Sequence, residues 1–158
     1  MRLLTAVVTA AMIAGPARAG DLVLSFGAFD VTDDTYRAVE AGARYGIGER
    51  WWRLRPIVGA MATSAGAFHA YVGFALEVAL GGRMTLAASL APGYYNRGGR
   101  GKDLGDPLEF RSGIELAWHL GRGRRLGVEV YHLSNQDLGA INPGQGSLVL
   151  TLSLPLGS

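Results

Sequence analysis

The chain of 158 residues has no cysteine, which excludes both disulfide staples and thiolate chemistry. Histidine is scarce at three residues, and neither His69 nor His119 stands in a metal-ligand spacing, so both read as structural. Past the first twenty residues there is no apolar run near the ~20 residues a membrane helix needs. If the protein spans a membrane, it must therefore do so with strands.

The single long apolar run is at the start. Arg2 precedes apolar residues from Leu3 to Gly15, and Ala17-Arg18-Ala19 supplies small residues at the two positions a signal peptidase reads. That order is the signature of a secretory signal peptide over residues 1–19, which leaves one domain over residues 20–158. A membrane anchor fits less well, because the run is too short to cross a bilayer. Excision would take Arg2 and Arg18 with it, so 15 basic residues become 13 against 13 acidic and the formal charge falls from +2 to zero. A high pI is then no argument for nucleic acid. Export without cysteine suits a bacterial envelope protein.

What the sequence has in abundance is alternation of period two, broken at even intervals by turns. The runs are 22–30, 36–45, 51–62 with Pro56 inside, 68–80, 84–95, 108–120, 126–134 and 147–156, and Gly81-Gly82 is a hairpin turn. Leu108, Phe110, Ile114, Leu116, Trp118 and Leu120 share a face interrupted only by Ser112, while Glu109, Arg111, Glu115 and His119 share the other. Several runs reach the ~9–11 residues of a tilted membrane strand. An apolar wall around a charged interior is the pattern of a small membrane barrel. The expected fold is all-β, an eight-stranded antiparallel up-and-down outer-membrane β-barrel. Trp51, Trp52, Tyr94, Tyr95, Trp118 and Tyr131 lie near run ends, where aromatic girdles form. The chain ends in Leu154-Pro-Leu-Gly-Ser158 with no terminal aromatic, and a soluble exported lipid-binding barrel is the alternative architecture.

Side-chain chemistry is concentrated in residues 128–147. Val128, Val130, His132 and Ser134 share one face of the seventh run, and Glu129, Tyr131 and Leu133 the other. A polar pair on a wall that meets hydrocarbon is costly unless it works, and its placement implies an amphiphilic substrate that arrives through the membrane. Serine needs an adjacent base to act as a nucleophile, and histidine is the usual one. Asn135 and Asn142, beside the Gly144 turn, are candidate oxyanion or positioning groups. Asn96 to Lys102 is a basic, glycine-rich loop that reads as a solvated segment.

Tyr131-His-Leu-Ser-Asn135, then Asn142-Pro-Gly144 and Ser147-Leu148, resembles the active-site signature of the PagL-type lipid A deacylases. Leu108 to Leu116 is similar to that family's preceding strand. The resemblance implies an outer-membrane esterase that removes an ester-linked acyl chain, at the 3-O position, from the lipid A of lipopolysaccharide. It makes His132 the general base and Ser134 the nucleophile, implies no cofactor and no metal, and leaves a homodimer open. The family's acid falls where this chain has Gly146, with uncharged Gln145 and Ser147 beside it. Asp137 is the candidate substitute. A catalytically impaired or non-enzymatic lipid-binding or structural barrel is the competing expectation.

Overall fold

The computed structural model describes residues 20–33, 35–48 and 52–157; the expected signal peptide, residues 1–19, lies outside them. Eight strands follow one another in chain order. They are β1 (Gly20–Phe29), β2 (Ala38–Gly46), β3 (Leu54–Thr63), β4 (Phe68–Ala79), β5 (Met84–Asn96), β6 (Leu108–Gly121), β7 (Arg124–Ser134) and β8 (Gln145–Leu156). Each pairs antiparallel with its neighbours, and β8 returns to β1, with Gly20 opposite Leu156 and Ala28 opposite Leu148. The sheet has no free edge. In hydrocarbon that closure is obligatory, because no water is present to satisfy an unpaired amide.

The boundaries shift slightly from the expected ones. Residues 36 and 37 belong to the β1–β2 connection. The third strand begins at Leu54, because Trp52 takes a left-handed φ of 62° in the turn before it; Trp51 lies outside the described residues. The last strand starts two residues early, at Gln145.

The alternation read from sequence is the alternation of wall and interior. Outward positions on β6 to β8 carry Ile114, Leu116, Val128, Val130, Leu148 and Leu150, all exposed. Inward positions carry charge. Arg44 bonds Glu115 at 2.6 Å and Glu129 at 3.2 Å, and Arg111 reaches Glu129 at 2.8 Å. Nearer the chain termini, Arg55 and Arg125 share Asp21 and Glu77. The space left among these groups is about 20 Å³, room for roughly one water. Among the described residues, this part of the interior is largely filled by side chains.

The other end is closed by an apolar cluster that includes Phe29, Met61, Tyr95, Leu104, Tyr131, Leu133 and Val149. Two expected girdle residues, Tyr95 and Tyr131, point into it. The reason is parity: each alternates with an outward neighbour, Tyr94 or His132. Tyr131 then donates its hydroxyl to Glu40 at 2.7 Å, and Arg111 stacks 3.8 Å over its ring. Tyr94 and Trp118 do face outward near opposite ends of the wall, and Trp52 is exposed in its turn.

The connections at the two ends differ. Residues 80–83 and 122–123 make short turns at the end that holds the termini, whereas 97–107 and 135–144 make longer loops at the other. Outer-membrane barrels carry short turns on the periplasmic side and longer loops outside. The end at which β7 finishes is therefore the external one.

Leu150 sits halfway along β8 with its side chain 59% exposed. An arginine on the lipid face near the bilayer midplane costs ~2–4 kcal/mol. Leu150→Arg should lower the unfolding free energy in lipid vesicles by about that amount, measured by urea titration of tryptophan fluorescence. An unchanged midpoint would argue that this wall does not meet hydrocarbon.

Candidate active site

The site is built where β7 runs out at the external rim. His132 stands on the outer wall, opposite Ser112 of β6 and opposite Gly146 of β8. Ser134, two residues further on, ends the strand on the same face, opposite Phe110. Cross-strand neighbours of this kind have Cβ atoms ~4.5–5.5 Å apart, so the imidazole lies between a serine hydroxyl on one side and a bare glycine on the other. His132, Ser112, Gly146, Thr32 and Ala88 line one groove of about 590 Å³ on the outer surface. Small residues at 88, 112 and 146 are what make the depression.

The chain turns sharply immediately after Ser134. Gln136 and Asp137 both take left-handed φ, 55° and 61°, a conformation that costs non-glycine residues energy and gathers at functional sites. The turn carries Gln136 back, and its Nε2 donates to Ser134 Oγ at 2.9 Å. Among the described residues, no side-chain hydrogen bond joins His132 to Ser134. Pairs of this type commonly tighten only with substrate in place.

Two asparagines hold the loop. Asn135 is fully buried, and its amide donates to the carbonyls of Leu104 at 2.9 Å and Ile141 at 2.7 Å, using both hydrogens. Its own N–H donates to Asn142 Oδ1 at 3.1 Å. Asn142 Nδ2 donates one hydrogen to Asp137 Oδ1 at 2.9 Å. Asp137 is exposed, and its carboxylate is engaged there and not at His132.

Gly144 is required twice over. Its φ is +60°, and a Cβ placed on it would stand 2.7 Å from His132 Cε1 and 2.9 Å from Nε2. The turn thus presses backbone against the imidazole. Gly146 is different, since a Cβ there would meet nothing nearer than Thr32 Cγ2 at 3.4 Å.

Gln136, Thr32 and the Gly144 contact were missed in the sequence reading. Gln136 carries a signal in the Ser-Asn-Gln-Asp order, where a short polar turn brings an amide back to the hydroxyl. Thr32 is more than a hundred residues away and carries none. His69 and His119 are remote from this site: His69 is buried and stacked on Tyr71, with ring centroids 5.3 Å apart, and His119 Nε2 is 2.7 Å from Thr85 Oγ1.

A closed eight-stranded antiparallel barrel with an apolar outer wall and a charged interior defines a class, the small barrels of the outer-membrane type. The family follows from sequence: the model described as Lipid A 3-O-deacylase (PagL) matches residues 30–155, and the chain belongs to that family. Among solved structures, the outer membrane enzyme PagL superposes with a TM-score of 0.67 at 22% identity, covering 86% of this chain and 99% of that one. A de novo designed transmembrane β-barrel gives 0.63 at 10% identity, over 92% and 100% of the two chains. Neisserial surface protein A gives 0.53 at 11%, over 86% and 95%. These structural likenesses establish the fold. A search of curated protein sequences finds no significant match.

The glycine contact makes a checkable statement about reactivity. Gly144→Ala should displace the imidazole and cut labelling of Ser134 by a serine-directed fluorophosphonate about 10- to 100-fold, with the barrel still folded by its heat-dependent gel mobility. Labelling at the unaltered rate would show that the turn does not set the histidine.

Proposed function

We propose that this protein is an outer-membrane serine esterase that removes an ester-linked acyl chain from lipid A, at the 3-O position as the family's description specifies. The observation that carries the reading is the exposed His132 on a wall otherwise made of exposed aliphatic side chains, with Ser134 next on the same face of β7, itself buried and bonded by the Gln136 amide. The histidine is open to the lipid phase and not to the interior. A substrate that reaches it must itself lie in the membrane, with its polar head near the external rim and its acyl chains along the wall.

The reaction follows from the groups present. Ser134 Oγ attacks the acyl carbonyl while His132 takes its proton. Charge that develops on the carbonyl oxygen needs donors held in advance. Gln136 Nε2, already 2.9 Å from Ser134 Oγ, is one candidate donor, and the Asn142 amide, which has one hydrogen committed to Asp137, is the other. Asn135 acts as a positioning residue, since both its amide hydrogens hold the loop. Collapse of the tetrahedral species breaks the ester C–O bond, and His132 returns the proton to the departing sugar oxygen. Water, deprotonated by His132, then releases the fatty acid from the acyl-serine. Leu138 and Ile141, exposed on the adjoining loop, give that loop an apolar surface toward the outer leaflet. Delivery to the outer membrane would use the signal peptide proposed for residues 1–19.

A second reading, a non-enzymatic lipid-binding barrel, has one observation in its favour: Gly146 supplies no carboxylate opposite His132. Expression in cells with fully acylated lipid A separates the two. Mass spectrometry should show loss of one acyl chain with the wild type and intact lipid A with Ser134→Ala, whose rate should fall by ~10⁴ or more. Intact lipid A in both cases would favour the binding barrel.

A further inference from the structure

In an esterase of this kind the histidine needs an acceptor that fixes its tautomer and steadies the imidazolium. The position that faces His132 across the β7–β8 ladder is Gly146. The space beside that glycine is nevertheless occupied, and the occupant comes from the far end of the sequence.

Past the end of β1, residues 30–32 continue along β8. Val31 donates its N–H to Gly146 O at 2.8 Å, and Asp30 donates its N–H to Gln145 Oε1 at 3.2 Å. Two bonds therefore dock this segment on Gly146 itself and on the side chain of its neighbour Gln145. Thr32 then lies over Gly146, with Cγ2 at 3.4 Å and Oγ1 at 4.0 Å from where a Cβ would stand. A carboxylate side chain rooted at 146 would project from that Cβ. Thr32 and His132 line the same outer groove.

The hydroxyl has a carboxylate behind it. Thr32 Oγ1 donates to Asp30 Oδ1 at 3.4 Å. Asp30 is fully buried, adopts a left-handed φ of 57°, and is held by Lys102, whose Nζ is 2.9 Å from Oδ2 and 3.1 Å from Oδ1. The strained backbone and the buried ion pair fix Asp30 in one orientation. With its proton committed to Asp30, the Thr32 oxygen presents lone pairs to a second donor.

We propose that Thr32 is the positioning residue for His132, accepting the imidazole N–H at Oγ1 while donating its own proton to Asp30, so that a buried carboxylate acts on the histidine through one hydroxyl. The inference rests on the esterase reading above. It accounts for a family member whose acid position is a glycine. It also gives a role to the Asp30–Lys102 pair, which lies too deep to meet substrate. A neutral relay orients less strongly than a direct carboxylate, so the enzyme works below the rate that an acid at 146 would allow.

The test uses the full-length protein, purified from outer membranes into detergent micelles, with lipid A as substrate and released fatty acid measured by mass spectrometry. Thr32→Val removes the hydroxyl at constant shape and should lower kcat about 10- to 100-fold with KM little changed; Thr32→Ser should restore most of the loss. In the Gly146→Glu background, where a carboxylate reaches the imidazole directly, Thr32→Val should cost no more than about threefold. The histidine tautomer gives a readout apart from turnover. The ¹⁵N resonances of His132, assigned by their absence in His132→Gln, should show one dominant neutral tautomer in the wild type and a mixture in Thr32→Val.

Full activity in Thr32→Val would overturn the inference, as would an equal loss in both backgrounds or a tautomer that ignores the substitution. A loss confined to Asp137→Asn would move the role to Asp137. A wild type that is inactive until Gly146→Glu is introduced would sink the relay and leave the esterase site standing. No release in either protein would remove both readings together.

Discussion

The constraint from which the rest follows is that backbone amides cannot be left unpaired in hydrocarbon. For a chain of strands the only solution is closure, and closure gives every residue one of two fates, wall or interior, according to its parity along the strand. On β6 and β7 that single rule sends Ile114, Leu116, Val128 and Val130 outward and Arg111, Glu115 and Glu129 inward. An interior so narrow favours paired charge, and at its middle Arg44 and Arg111 converge on Glu129 from two other strands. The network also occupies the middle of the lumen, between β2, β6 and β7.

Parity also places the chemistry. His132 is out because Tyr131 and Leu133 are in, and both of those neighbours belong to the apolar cluster that closes the external end. The anchoring is tight on the inside, where Tyr131 meets Glu40 and Arg111. A rigid interior thus supports an outer face on which the side chains have room to act. On that outer face Ala88, Ser112 and Ile114 line the groove beside His132.

Much of this is legible in the sequence, for a physical reason. Period-two alternation maps directly onto the two faces of a strand, so the eight strands, the charged interior and the outward His132 can all be read without coordinates, whereas the burial of Ser134 where the strand ends cannot. Register and loop geometry are another matter. That Gly146 faces His132 depends on residues 135–144 folding back with Asn135 buried and Gln136 and Asp137 left-handed, and none of this has a periodic signature. The inward turn of Tyr95 was readable in principle from the outward turn of Tyr94. The contact between Thr32 and Gly146 was not, because it arises only when β8 closes onto β1.

That last contact shows how closure brings together segments far apart in the sequence. In an open sheet β1 and β8 would be opposite edges, and residue 32 would be as far from His132 as the sheet is wide. Joining the edges brings the β1–β2 connection alongside β8, where its first residues add one backbone bond, Val31 N–H to Gly146 O, and one to a side chain, Asp30 N–H to Gln145 Oε1. A site whose histidine lies on β7 can therefore draw a partner from β8 by direct pairing, or from the segment after β1 by docking on β8. The two routes reach the same point on the wall. With glycine at 146 the first route carries no side chain, and the space beside that glycine is the space that Thr32 borders.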